Sequence, residues 1–168
     1  MIYIGLVQDN LMSLQNDYNE LLLESQRKTL TMVGNAAADR SVNAYLVGGS
    51  VRDLILGGRI GDLDVCIESG DIQEFCEFLQ TTFCAEILAY SEFGTCKIVL
   101  GEEMVDVAVA RSEVYERNGA LPTVTHSTVS HDLMRRDFTI NSMAMPILLG
   151  ELGTVIDLNE GFRDIDEK

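Results

Sequence analysis

Asp62-Leu63-Asp64 is the first arrangement in this sequence with chemistry in it. In an extended strand, side chains two apart share a face. Both carboxylates then meet on one side while Leu63 turns into a core. Carboxylate oxygens are the hard ligands Mg²⁺ takes, one or two per ion, with water and substrate phosphate completing the shell. The alternative for so short a motif is a plain pair of surface charges. Asp106 strengthens the metal reading. It lies in the otherwise apolar run 104–110, where an unpartnered carboxylate is costly. A metal shared with Asp62 and Asp64 would satisfy it, and so would a salt bridge to Arg111.

Gly48-Gly49-Ser50-Val51-Arg52-Asp53 is the second arrangement. Without Cβ atoms, Gly48 and Gly49 let a ligand approach the backbone closely. A helix starting there aims its first amides at the same spot, which favours a phosphate. Arg52, one turn in, adds a charge-assisted contact. A tight turn with a surface arginine is the alternative. The block lacks the Gly-Lys-Ser/Thr ending of a P-loop. The third arrangement is Arg135-Arg136-Asp137-Phe138-Thr139-Ile140-Asn141. One arginine could take a triphosphate while the other pairs with Asp132 or Asp137, or both could form surface ion pairs.

These residues need elements to position them. The spacing of apolar residues over 11–38 predicts one or two amphipathic helices, broken near Gly34-Asn35. Residues 44–47 read as a buried strand ending at the glycines, 50–56 as a helix, 63–67 as a strand and 72–83 as a helix. Residues 95–100 and 104–110 read as strands joined by a hairpin turn at Gly101-Glu102-Glu103. Residues 112–127 read as a loop, 131–145 as a helix and 155–165 as a short acidic tail. Helices alternating with strands point to an α/β fold, a small mixed sheet flanked by helices. The expected division is an N-terminal helical segment, 1–40, and a domain, 41–168.

Composition sets the limits. Hydrophobic residues make up 46% of the 168 and charged residues 23%, ordinary for one globular domain. No apolar run approaches the roughly 20 residues that span a bilayer. The N-terminus carries neither a basic leader nor a cleavage pattern, so the expected location is the cytoplasm. Cys66, Cys76, Cys84 and Cys96 form no close pair and read as buried or half-buried thiols. The net charge of −15 opposes a phosphate backbone, which is bound mainly through Lys and Arg.

Taken in order, the Gly-Gly-Ser-Val-Arg-Asp block, Asp62-Leu63-Asp64, the run from Val105-Asp106 to Arg111, and the Arg-Arg-Asp-Phe-Thr-Ile-Asn block resemble one family. It is the head domain of class II tRNA nucleotidyltransferases and bacterial poly(A) polymerases, within the polymerase β-like superfamily. The resemblance covers residues 44–164. It implies transfer of a nucleotide from CTP or ATP to an RNA 3′ end, with tRNA the favoured acceptor and two Mg²⁺ ions as cofactors. Asp62 and Asp64 match the family's metal ligands, and Asp106 a third acidic position in some members. Gly49, with Gly48 beside it, Arg52 and Arg136 match nucleotide contacts, and Asn141 a position near the ribose. Two segments depart from the pattern: Leu56-Gly57-Gly58-Arg59 is displaced by one, and Asp157-Leu158-Asn159-Glu160-Gly161 replaces Asp-Pro-Phe-Gly-Gly. The family continues into base-selecting and RNA-binding regions, whereas this sequence ends at Lys168. The competing expectation is a nucleotide-binding or partner-docking module without activity of its own.

Overall fold

The computed structural model describes residues 18–91, 94–114 and 123–167. Its order is α1 (Glu24–Asp39), β1 (Asn43–Val47), α2 (Gly49–Ile55), β2 (Leu63–Glu68), α3 (Ile72–Phe83), β3 (Glu86–Ser91), β4 (Thr95–Leu100) and β5 (Glu103–Val109). There follow β6 (Arg111–Val114), β7 (Thr123–His126), α4 (Val129–Met134), a 3-10 turn (Thr139–Asn141), β8 (Met143–Leu148), β9 (Glu151–Leu152), β10 (Ile156–Asp157) and α5 (Gly161–Asp166). The main sheet runs β10-β8-β1-β2-β5-β4-β3, and β9 extends β8. Among the described residues, only β2 and β5 pair in parallel within it; the other pairs are antiparallel. It is the mixed α/β sheet the sequence implies.

Strand alternation sorts the residues onto two faces. Leu46 of β1, Leu63, Val65 and Ile67 of β2, Ile98 of β4, Val105 and Val107 of β5, and Met143 and Met145 of β8 are buried in one core. Leu30 and Val33 of α1 and Phe75 and Leu79 of α3 belong to the same core. The opposite parity carries Asp64, Lys97 and Asp106. That face is apolar only in a small cluster under α4, including Val47, Cys66, Val129, Leu133 and Ala144.

Several elements depart from expectation. Helix α1 runs unbroken through Gly34, which is a point of close approach and not a break. A Cβ there would stand 3.1 Å from the backbone nitrogens of Leu149 and Gly150, at the β8–β9 turn. The expected helix over 131–145 ends at Met134, and 143–148 form a strand. Met, Ala and Leu are good helix formers, but β8 lies between β1 and β10, and pairing within the sheet overrides propensity. The expected loop over 112–127 holds a strand pair, Arg111 opposite His126 through Val114 opposite Thr123; 115–122 lie outside the described residues. The acidic tail contains β10 and α5, and β3 was not foreseen. Cys84 is exposed, because it closes α3 in a left-handed conformation with φ 59°.

Leu46 is fully buried in β1, between β2 and β8. Leu46→Ala should lower the unfolding free energy by about 2–5 kcal/mol in urea denaturation; a loss below about 1 kcal/mol would contradict this packing.

Candidate active site

The turn after β1 is built for close approach. Gly48 has φ 64° and ψ −128°, a region open essentially to glycine alone. Its N–H donates to Met143 O at 3.1 Å, tying the turn to β8. A Cβ on Gly48 would stand 2.9 Å from Arg136 Nη1, and one on Gly49 3.6 Å from Asp64 Oδ2. The missing side chain at Gly48 makes room for the arginine, while a Cβ on Gly49 would be in ordinary contact with the carboxylate. Ser50, at the start of α2, fixes the facing strand. Its Oγ donates to Asp62 O at 3.1 Å and accepts from Asp64 N–H at 2.9 Å.

Parallel pairing then sets Asp64 directly beside Asp106. Asp64, Asp106, Gly48, Gly49, Arg136 and Asn141 line one cavity of about 370 Å³. Burial, reinforced by the charge of Asp106, pushes the Asp64 carboxyl up; hydrogen bonds from Ser50 and the charge of Arg136 oppose the shift without cancelling it. Asp62 precedes β2 with the same parity. Its side chain is 56% exposed and does not line the cavity. Among the described residues, no three His, Cys, Asp or Glu side chains form a ready metal cluster. An ion-pair partner of Asp106 beyond the two alternatives, a metal and Arg111, is Lys97, with Nζ 2.9 Å from Asp106 Oδ2 and 3.5 Å from Asp62 Oδ2.

The arginines converge from two other elements. Arg52 donates through Nη1 to Asn141 Oδ1 at 2.7 Å and through Nε to Asp53 Oδ1 at 2.9 Å. Arg136 donates through Nη1 to Asn141 O at 3.3 Å. The 3-10 turn that carries Asn141 thus links Arg52 to Arg136. The structure gathers Gly48, Gly49, Asp64, Asp106, Arg136 and Asn141 around one cavity, with Arg52 bonded to Asn141 and Asp62 outside the lining.

A comparison of families supplies what geometry alone leaves open. The Poly A polymerase head domain family matches residues 44–168. The chain belongs to that family. It is 41% identical over 146 residues to an A-adding tRNA nucleotidyltransferase of Geobacter sulfurreducens, covering 84% of this chain and 16% of that protein. The fold matches a solved CCA-adding enzyme with TM-score 0.80 and 34% identity, over 88% of this chain and 35% of the other. It also matches a tRNA nucleotidyltransferase complexed with a primer tRNA and an incoming ATP analogue, with TM-score 0.66 and 35% identity, over 81% and 37%. The chain spans little more than a third of the length of those solved chains, and less of the curated relative.

Within this head domain, three residues matter that sequence reasoning did not assign to the site. Ser50 gave no signal. Lys97 is set by the register: the turn is Gly101-Glu102, one residue shorter than expected, so Leu100 pairs with Glu103 and Lys97 with Asp106. The third is Asp132. The sequence offered it one arginine, and it holds two. Arg135 Nη2 donates to Asp132 Oδ1 at 2.7 Å and Arg136 Nη2 to Oδ2 at 2.9 Å. Its side chain is only 3% exposed. Burial works to raise the Asp132 carboxyl, but the hydrogen bonds and charges of Arg135 and Arg136 prevail and hold it below the usual range.

A depressed carboxyl stabilises the fold above its unfolded pKa, and that contribution is lost as pH falls through the folded value. Asp132→Asn should cost roughly 2–4 kcal/mol near pH 7, toward the low end for a broken buried pair because both arginines reach water. The gap between parent and variant should close as pH drops from about 5 toward 3. A gap in denaturation midpoints independent of pH would contradict this role.

Proposed function

We propose that this head domain transfers a nucleoside monophosphate from CTP or ATP to an RNA 3′-hydroxyl, releasing pyrophosphate. The observation that carries the reading is the apposition of Asp64 and Asp106 in a cavity also lined by Gly48, Gly49 and Arg136. Acidic oxygens at one wall and cationic donors at the other suit a triphosphate. The relative's A-adding name favours ATP of the two nucleotides. A net charge of −15 favours RNA contacts made largely through surfaces other than this head, with tRNA as the acceptor and the cytoplasm as the setting. Residues 41–168 would form the head and 1–40 a helical N-terminal segment.

The side chains present fit a magnesium cofactor. Asp62, Asp64 and Asp106 are hard oxygen donors, and Asp64 carries a like-charge strain that a cation relieves. A ready three-residue cluster is not required, since Mg²⁺ is held by one or two carboxylates plus substrate phosphate. Two Mg²⁺ ions, held through Asp62 and Asp64 with Asp106 beside them, would supply Lewis acidity to the hydroxyl and the triphosphate.

The protein's own contribution is placement and charge. Arg136 and Arg52 neutralise phosphate oxygens, and the backbone at Gly48 and Gly49 lets the triphosphate lie close. Asn141 holds Arg52 toward this wall and stands near the ribose. The 3′-hydroxyl gives up its proton to water as its oxygen forms a bond to the α-phosphorus; the bond from that phosphorus to the bridging oxygen breaks, and pyrophosphate leaves with the electron pair. Positioning for in-line displacement is most of what catalysis requires here.

These residues face phosphate and sugar, which every nucleoside triphosphate shares. Calorimetric titration with the magnesium complexes of ATP, CTP, GTP and UTP should give affinities within about tenfold, or ~1.4 kcal/mol, of one another. Asp64→Ala should abolish magnesium-dependent binding with an unchanged circular dichroism spectrum. A hundredfold preference for one base would place a selective pocket in this chain, and undiminished binding by Asp64→Ala would remove the metal assignment.

A further inference from the structure

The register that sets Asp64 beside Asp106 also brings a cation to the same face. Lys97 is the antiparallel partner of Asp106. Its ammonium bridges Asp106 at 2.9 Å and Asp62 at 3.5 Å. Both contacts are solvent-accessible, with side chains 40% to 56% exposed. Exposed ion pairs of this kind add little to stability. Their consequence lies in the charge balance of the carboxylates.

Three acidic groups share this face, and their cations are divided. Arg136 faces Asp64, and its charge works against the upward shift of that carboxyl. Lys97 serves Asp106 and Asp62. A divalent cation held by Asp62 and Asp64 needs an oxygen that the Lys97 ammonium already engages. Lysine suits such a post: a compact charge on a flexible four-carbon stem can leave without disturbing its strand. A fixed arginine fork would leave less readily.

We propose that Lys97 is a built-in counter-ion, an alternative occupant of the Asp62–Asp106 carboxylates that competes with the divalent cation and sets its affinity. This rests on the reading of Asp62 and Asp64 as metal ligands. Lys97 holds the carboxylates together when no dication is bound and withdraws when one loads. It thereby weakens capture of a divalent cation at this face.

The test is Mn²⁺ binding without nucleotide, followed by electron paramagnetic resonance, on the whole chain. Lys97→Met should bind Mn²⁺ about three- to tenfold more tightly than the parent, the scale expected on removing two exposed ion pairs. Lys97→Arg, which keeps the charge and leaves less readily, should bind Mn²⁺ no more tightly than the parent. Lys28→Met makes the same charge change on α1, where Lys28 pairs with Glu24 at 2.7 Å, and should leave Mn²⁺ affinity unchanged. Equal or weaker Mn²⁺ binding by Lys97→Met overturns the proposal, as does equal tightening by Lys28→Met or Lys97→Arg. A parent that binds no Mn²⁺ sensitive to Asp64→Ala would remove the metal reading itself, a distinguishable result.

Discussion

Two carboxylates facing each other across a parallel strand pair form the constraint on which this molecule is arranged. Like charges directly opposite in a sheet repel, and Asp64 and Asp106 are such a pair. A fold keeps this arrangement only if the backbone register is imposed from elsewhere. Here it is imposed by the other face. Leu63, Val65, Val105 and Val107 alternate with the acids and are buried in the main core. Slipping either strand by one residue would bury an aspartate and expose its apolar neighbours.

The surrounding cations answer this repulsion at two depths. Lys97 meets Asp106 and Asp62 at an open edge. Arg136 faces the more buried Asp64, but is itself held from behind by Asp132. Half-buried Asp64 and buried Asp132 are shifted in opposite directions. Asp64 is raised by burial and by Asp106, and Asp132, though burial acts on it too, is lowered by Arg135 and Arg136. One is left short of counter-charge, as a cation site requires. The other is oversupplied and serves as an anchor. Gly48 allows the two systems to meet, since a Cβ there would collide with Arg136.

Legibility in the sequence followed the range of the physics. Elements governed by local pattern were readable: α3 matches its expected bounds because Asp71 caps it through Gln73 and Glu74 and the apolar spacing is helical. The strand–turn–helix at Gly48 and the hairpin at Gly101 were readable for similar reasons. Elements governed by pairing partners were not. Residues 143–145 carry helix formers but lie in a strand because β1 and β10 flank them, and Pro146 is the one local sign against a helix there. Gly34 reads as a helix breaker until the β8–β9 turn is seen against it. Among the site residues, Asp64, Asp106, Gly48, Gly49, Arg136 and Asn141 were named from motif blocks, and they do converge. Asp132 was seen only as a local partner for one arginine, because its burial and double pairing are tertiary facts.

On the proposed reading, the face bearing Asp64 and Asp106 receives the cation and the triphosphate together. The most direct measurement is paramagnetic broadening of backbone amide resonances by substoichiometric Mn²⁺ with a non-hydrolysable ATP analogue. Broadening should begin at residues 48–50, 63–65 and 105–107, and reach the acidic helix α5 only at higher metal. Broadening strongest at α5 or at the Glu102-Glu103 turn, with residues 48–50 sharp, would contradict it.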